Sequence, residues 1–537
     1  MNDIYNLPQE VEEGNIEYKR QVDGLTDEKI IKFKTQMIWR MSEGKRKNGI
    51  EEATYYIGIE DNGSISDVNI ESINNSILNF TNIANLCNAE ICSTQIQYTL
   101  KGVIAIIKIR KLGNYLIDEI KIGLLGSSNN GKTTFLGNVT YDILDDGDGS
   151  SRSNILRYDH EKQNGITSSI KYEIIGCNDT KYINYNSGFI GSWEYIVKNS
   201  KKIINFIDLP GNYKFIKTTL FGLTAHRPDY ILIFIDISRA YDCKMDTVIF
   251  DDETNLHIEL CMKLSIPFAL IFTKKDMMLD IPIPNIIDKF QIIFNSNTNF
   301  DSLYIKSESD LNMITINLIP IIVISNVTGE NINLVKLLLK NININKNNVK
   351  INKRETEFMI NDVIFLPDVG TVVTGILNQG RIKISNKLLI GPINKIFCNT
   401  EIISIHKKQI PCKYLYQGEI GSLVIKSNNK MEINKHMMIF DPDQLSHFTN
   451  KFKIIIKKEN HISKISKDLE LKIDLSLMVM CRNIYDSITI LNNIKTENEN
   501  IIDVMFHNDN IHFLKNGEYI IIRYNNNIII GNVLCIN

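Results

Sequence analysis

Gly126, Gly131, Lys132 and Thr133 lie in the stretch KIGLLGSSNNGKTTFLGNV (Lys121–Val139) and fit G-x-x-x-x-G-K-[ST] without a mismatch. A phosphate chain needs that spacing. Glycines let successive backbone N–H groups curl around a β-phosphate with no Cβ in the way. Lys132 places one positive charge between β- and γ-phosphates, and the Thr133 hydroxyl is a ligand for Mg²⁺. Ser127, Ser128, Asn129, Asn130 and Thr134 complete the cradle. Such a loop indicates a nucleoside triphosphate and leaves the base open.

Three later segments narrow the choice. KIINFIDLPGN ends an apolar run in Asp208-Leu209-Pro210-Gly211. A carboxylate at a strand end holds a Mg²⁺-bound water, and the Gly211 N–H is offered to a γ-phosphate. PFALIFTKKD ends in Thr273-Lys274-Lys275-Asp276, which fits [NT]-K-x-D. The Asp276 carboxylate can accept from guanine N1–H and from its exocyclic amine. Adenine has no such donor pair, and a site built for one rejects the other base by up to ~10⁴-fold. IIVISNVTGENINLVKLL supplies Ser325, Asn326 and Val327 at another strand end, suited to contact guanine O6. Thr167, in EKQNGITSSI between the cradle and Asp208, is placed to complete a Mg²⁺ shell and sense the γ-phosphate. Alone, several of these motifs would be ordinary charged turns. Their shared order points to a guanine-nucleotide-binding P-loop protein with GTP or GDP as ligand and Mg²⁺ as its metal.

Residues of this kind must be carried on strand ends. KIGLLG, KIINFIDL, DYILIFIDI, PFALIFT and IIVIS are continuous apolar runs separated by helical segments. That texture belongs to a parallel sheet covered on both faces. After the cradle, Phe135, Val139 and Ile143 fall on one face of a helix whose N-terminus adds its positive dipole end to the phosphate site. Residues 1–116 read as an α+β extension, with a helix at KIIKFKTQMIWRM, a turn at Asn62-Gly63, a helix face of Ile73, Ile77, Phe80, Ala84 and Cys87, and two strands around Gly102. The expected divisions are 1–116, the nucleotide domain 117–345, and two β-barrels at 346–446 and 447–537. Short strands with turn residues mark the barrels. An asparagine- and lysine-rich stretch at 341–354 reads as a linker.

The chain has 537 residues with 60 basic and 62 acidic side chains. It carries no global basic field, so any RNA contact must rest on local patches, and sequence-specific DNA recognition is not expected. Nine scattered cysteines without a C-x-x-C suggest reduced thiols in the cytoplasm. No apolar run reaches the roughly 18 residues of a membrane helix. His160, His226 and His257 lack metal-ligand spacing. Lys198–Lys202 and Lys346–Arg354 read as solvated basic stretches. Phe215, Phe221 and Leu223, just after the Asp208 motif, read as core. His406, Lys407 and Lys408 read as an exposed turn between strands.

Taken together, the chain resembles the GTP-binding protein 1/GTP-binding protein 2 family, a branch of the elongation-factor-like translational GTPases. The resemblance is carried by LPQEVEEGNIEYK, YYIGIEDNG, NGITSSI, FIDLPGNYKFIKTTLFGLT, SNVTGENINLVK and DVGTVVTGIL. It implies a Ras-like G domain followed by two barrels, and GTP hydrolysis coupled to a change in how the barrels sit. It also implies partners among tRNA, the ribosome or other RNA machinery, engaged in part by the barrel that carries His406. Phosphate binding then falls on Gly126 to Thr133, Mg²⁺ on Thr133, Thr167 and, through water, Asp208, and guanine on Thr273, Lys274, Asp276 and Ser325.

Two positions depart from the family pattern. Asn212 stands where the family has the histidine that orients the attacking water. Its amide still bonds water, as a glutamine does in small GTPases, but it is shorter and cannot become cationic. Losing a well-placed orienting group costs typically ~10²–10⁴ in rate. Asn129 stands where the family has Asp, which weakens a monovalent-cation site in the cradle. Asn212, Lys132 and Gly211 are therefore the expected catalytic set. The alternative is a GTP-loaded binding module with little turnover; an ATP-using protein is a third reading, opposed by Asp276.

Overall fold

The computed structural model describes residues 7–48, 51–111, 118–156, 158–178, 181–187, 193–242, 244–278, 281–298, 300–315, 317–342, 355–367, 369–393, 395–408, 410–427, 432–435, 437–457, 471–496, 499–524 and 527–535. The linker at 341–354 and the basic run Lys346–Arg354 lie almost entirely outside them. The chain forms two compact units: Met1–Leu116 with Ile351–Asp441, and Ile117–Lys350 with Pro442–Asn537.

In the first unit, a four-stranded sheet runs in the order Ile16–Lys19, Glu52–Ile57, Val103–Lys111, Ala89–Tyr98. Two helices, Asp27–Asn48 and Ile70–Leu86, cover one face through Met37, Met41, Ile73 and Phe80. Asn69 caps the second helix by accepting from the Ser72 N–H at 2.9 Å. Arg40 pins the segment before the first strand. Its guanidinium donates to the carbonyls of Val11, Glu12 and Gly14 and pairs with Glu10 and Glu17. The same unit holds a closed ring of six strands: Lys387–Ile393, Met438–Phe440, Glu357–Leu366, Gly370–Gln379, Ile420–Ser427 and Ile396–Lys407, the last pairing back to the first. His406 Nε2 lies 3.0 Å from Glu90 Oε1, joining ring and sheet. Lys407 and Lys408 are buried, contrary to the exposed turn expected for them. Lys407 is drawn inward by Glu419, which it meets at 2.6 Å.

In the second unit, eight strands form one sheet in the order Asp301–Tyr304, Leu318–Val323, Phe268–Thr273, Tyr230–Asp236, Asp118–Leu125, Lys202–Asp208, Lys171–Cys177, Tyr182–Ile183. The first six are parallel, the seventh runs antiparallel to them, and the eighth pairs antiparallel with the seventh. The five runs read as buried strands are all present, and apolar clusters lie on both faces of the sheet. The cradle helix spans Lys132–Tyr141 and ends there because Asp142 turns left-handed; Ile143, assigned to its face, lies beyond it and is exposed.

A second closed barrel is built from Lys451–Lys457, Glu499–Phe506, Ile484–Lys495, Ser476–Cys481, Tyr519–Tyr524 and Asn527–Cys535. Along three of its strands, alternate residues such as Val479, Ile522 and Ile529 fill the barrel. Their neighbours Met480, Ile521, Ile528 and Ile530 join a cluster with Leu220 and Leu223 of the helix Ile216–Ala225. That helix follows the Asp208 motif, so the barrel is packed on the element next to the cradle. Thr224 Oγ1 donates to the Arg482 carbonyl at 2.9 Å, and Lys217 Nζ sits 3.4 Å from the Tyr485 ring centroid. No helix among the described residues is long and apolar enough to cross a membrane.

Candidate functional site

Strand Asp118–Leu125 ends in Gly126, whose φ of 133° turns the chain off the sheet. A Cβ there would stand 2.3 Å from the Phe234 carbonyl oxygen. The loop is held from several sides. Ser127 Oγ donates to Asp251 Oδ1 at 2.9 Å, Asn130 Nδ2 donates to the Phe234 carbonyl at 2.9 Å, and Thr273 Oγ1 donates to the Asn130 carbonyl at 3.0 Å. Ser128 Oγ is buried with no partner among the described residues.

Lys132 is buried and donates to the carbonyls of Gly126 (2.7 Å) and Ser127 (3.0 Å). Burial pushes its ammonium down to about 8, with the charge of Asp208 pulling the other way. Gly211 is pressed against this lysine. A Cβ at 211 would stand 2.4 Å from Lys132 Nζ and 2.3 Å from the Gly126 carbonyl oxygen, so only glycine brings the Asp208–Gly211 turn onto the cradle. Leu209 is fully buried, and the Pro210 carbonyl accepts from Thr219 Oγ1 at 2.7 Å.

Thr133 Oγ1 donates to Asp208 Oδ2 at 2.9 Å and lies 2.9 Å from Thr167 Oγ1. Burial raises the carboxyl of Asp208, opposed by Lys132. Its Oδ1 is a buried acceptor with no partner among the described residues. Two hydroxyls beside one carboxylate oxygen in want of a donor suit a hard, oxygen-seeking cation that keeps its own waters. The set therefore fits Mg²⁺. Ser128, Asn129, Gly131, Lys132, Thr133, Thr134, Thr167 and Gly211 enclose a cavity of about 30 Å³ together with Arg152.

Asn212 sits differently. Its Oδ1 caps the short turn Tyr213–Phe215 by accepting from the Lys214 N–H at 2.9 Å, which ties the amide to the turn that follows the motif.

A larger cavity of about 370 Å³ adjoins the first and shares Asn129, Gly131, Thr134 and Arg152 with it. Lys274, Asp276, Asn326 and Val327 line it as well. Ser325 Oγ donates to Asp276 Oδ1, and its oxygen accepts from the Val327 and Thr328 N–H groups. Lys274 adopts a left-handed φ of 61° and meets Asp236 Oδ2 at 2.6 Å. Asn326 Nδ2 donates to the Gly131 carbonyl at 3.1 Å, tying the two cavities together.

The fold thus brings Ser128, Asn129, Gly131, Lys132, Thr133, Thr134, Thr167, Gly211, Lys274, Asp276, Asn326 and Val327 to the two cavities, with Gly126, Ser127, Asn130, Asp208, Thr273 and Ser325 bonded to or packed on them, whereas Leu209 turns into the apolar core and Asn212 lines neither cavity. Asp236 and Asp251, which brace Lys274 and Ser127, were not singled out by the sequence. The helix-start pattern Asp251-Asp-Glu-Thr254 could have flagged Asp251, which accepts from the Thr254 N–H at 2.6 Å. Behind Thr167, Glu161 and Lys171 form an ion pair at 2.7 Å. His226 and His257 are buried within the same unit, and no cluster of histidine, cysteine and carboxylate side chains that could hold a metal ion occurs among the described residues.

The fold and the cradle define a P-loop protein of the translation-factor type. Residues 118–347 match the family model described as the Elongation factor Tu GTP binding domain, whose members are GTPases. GTP-binding protein 1 of Xenopus laevis is 30% identical over 463 residues, spanning 84% of this chain and 67% of that one. GTP-binding protein 2 of Homo sapiens is 29% identical over 457 residues, spanning 81% and 73%. Among solved structures, the Saccharomyces cerevisiae Ski7 GTPase-like domain bound to GTP superposes with a TM-score of 0.59 at 15% identity, over 78% of this chain and 98% of that one. The chain belongs to the GTP-binding protein 1/GTP-binding protein 2 family of elongation-factor-like translational GTPases.

Proposed function

We propose that this chain binds Mg²⁺-GTP and hydrolyses it to GDP, acting in the cytosol as an elongation-factor-like switch on tRNA, ribosome or other RNA-bearing partners. The observation that carries the reading is the continuity of the two cavities. Asp276, oriented by Ser325, stands in one, and Lys132, Thr133, Thr167 and Gly211 stand in the other. A guanosine triphosphate needs both at once. Thr133 and Thr167 would hold Mg²⁺ directly and Asp208 through a water. The ion, when bound, neutralises charge on the β- and γ-phosphates.

The switch follows from where Thr167 and Gly211 sit. Each belongs to a segment that a γ-phosphate can order and its departure can release. The Gly211 segment runs into Ile216–Ala225, the helix packed on the second barrel.

A second reading, a GTP-loaded binding module with slow turnover, is favoured by Asn212, whose amide is tied to the following turn by the Lys214 N–H. Single-turnover hydrolysis on the wild type and Asn212→His separates the two. Equal, brisk rates support the switch enzyme. A histidine variant that turns over far faster supports the module.

A further inference from the structure

We propose that Arg152 is a catalytic residue, an arginine supplied from within the same chain to the γ-phosphate of GTP. The inference rests on the reading of the site as a GTP site and goes beyond it, because no motif of the site includes this residue.

Arg152 lies in the short helix Ser150–Ser153, on the chain between the cradle helix and Thr167. It lines both cavities. It is therefore a long cationic side chain that borders the cradle cavity together with Lys132, Thr167 and Gly211, the residues on the γ-phosphate side of the proposed site. Its guanidinium has no hydrogen-bond or ion-pair partner among the described residues. A half-buried arginine left unpaired beside a phosphate cradle is a donor fork without an acceptor.

The position is braced. The Arg152 carbonyl accepts from the N–H groups of Ile155 (3.0 Å) and Leu156 (3.1 Å), whose side chains are buried. Ser151, fully buried, donates through Oγ to the Thr134 carbonyl at 3.0 Å and also bonds Asn138 Oδ1. Both partners lie on the cradle helix. A Cβ at Gly137 would stand 2.2 Å from the Ser151 carbonyl oxygen, so the two helices meet backbone to backbone. The side chain then passes between two glycines. A Cβ at Gly149 would stand 2.3 Å from its Nε, and one at Gly165 would stand 2.9 Å from its Cζ. Gly165 is two residues before Thr167, so the guanidinium rests on the segment that a γ-phosphate would order.

In hydrolysis, the oxygen of a water bonds to the γ-phosphorus while the bond to the β–γ bridging oxygen breaks. The electron pair stays on that oxygen, leaving GDP, and the water proton leaves with inorganic phosphate. Negative charge grows on the bridging oxygen. A fixed guanidinium stabilises that charge without reorganisation. With Asn212 in place of the family histidine, this charge stabilisation does the larger share of the work.

The test compares full-length wild type, Arg152→Ala and Arg152→Lys. It reads GTP affinity with a fluorescent GTP analogue, single-turnover hydrolysis, and the gain in GDP affinity on adding aluminium fluoride, which with GDP imitates the transferring phosphoryl group. Thermal melting checks that each variant is folded. The expected result is turnover lowered about 10³-fold in both variants, with GTP affinity nearly unchanged. The aluminium fluoride gain seen in the wild type should vanish in both, because a lysine is a single point charge and cannot replace the fork. If the alanine variant does not fold, the lysine variant, which keeps most of the stem, decides. Near-wild-type turnover, a retained aluminium fluoride gain, or loss of GTP affinity equal to the loss of turnover would overturn the proposal. So would a wild type that binds GTP and never hydrolyses it. A wild type that binds no GTP would instead overturn the reading of the site itself.

Discussion

The Glu161 carboxylate and the Lys171 ammonium meet at 2.7 Å with both side chains almost wholly out of water. They bracket Thr167 in sequence, and Glu161 also accepts from the Ser168 N–H at 2.8 Å and its Oγ at 2.9 Å. Burial opposes the charge on Glu161, but Lys171 and Ser168 outweigh it and hold the carboxyl down at about 2. The pair anchors both ends of the segment that carries Thr167. Removing one partner strands the other charge, at a cost of about 3–5 kcal/mol. Glu161→Ala and Lys171→Ala should each lower the urea midpoint strongly, and Glu161→Gln with Lys171→Met should recover much of the loss.

His226 and His257 set the acid limit of the same unit. Burial holds each imidazole down to about 3, with Lys121 adding to the effect at His226 and Lys132 at His257. Unfolded, each takes up a proton below about 6.5. The unfolded state therefore binds more protons below that pH, and stability falls as pH drops from about 6.5 toward 3, by up to about 1.4 kcal/mol per pH unit for each histidine. Glu161 adds to the loss below its unfolded value of about 4.3. Melting temperature should decline steadily between pH 6.5 and 5, and His257→Leu should flatten that slope.

Nucleotide binding should be linked to a proton. Lys132, held at about 8 by burial, is partly neutral in the free chain above that pH. A triphosphate favours its charged form, so GTP binding at pH 9 should take up a proton and weaken as pH rises. Calorimetry in two buffers of different ionisation heat reads the uptake. The Lys132→Arg variant, charged throughout, should take up fewer protons on binding than the wild type even where its affinity is lower.

Asp276→Asn exchanges an acceptor for a donor at the proposed guanine contact. GTP affinity should fall by several hundredfold to about 10⁴-fold, and xanthosine triphosphate should become the better ligand. Competition of both nucleotides against a fluorescent analogue measures the switch.

Much of this was legible in the sequence because the chemistry sits where strands end. Asp208, Asp276 and Ser325 each close a buried apolar run, so motif and element could be read together. Ile520–Ile522 and Ile528–Ile530 are unbroken triplets because those strands are apolar inside the barrel and covered outside by Ile216–Ala225. Arg152 was not legible. DGDGSSRS has no periodic pattern, and its arginine gains meaning only when Gly149 and Gly165 come to lie on either side of it. Lys407 and Lys408 misled for a similar reason: two adjacent lysines look solvated until a folded carboxylate such as Glu419 draws one inward. Asn212 was read by its place in a motif, whereas its bond to the Lys214 N–H depends on the turn that follows.

The most direct measurement is calorimetric titration of the Mg²⁺-equilibrated chain with GTP, followed by challenge with ATP. The expected outcome is one equivalent of GTP bound at micromolar affinity or tighter, undisturbed by ATP in about hundredfold excess. A chain that retains no guanine nucleotide, or one from which ATP displaces GTP on equal terms, would contradict the joint reading of Asp276 and Lys132.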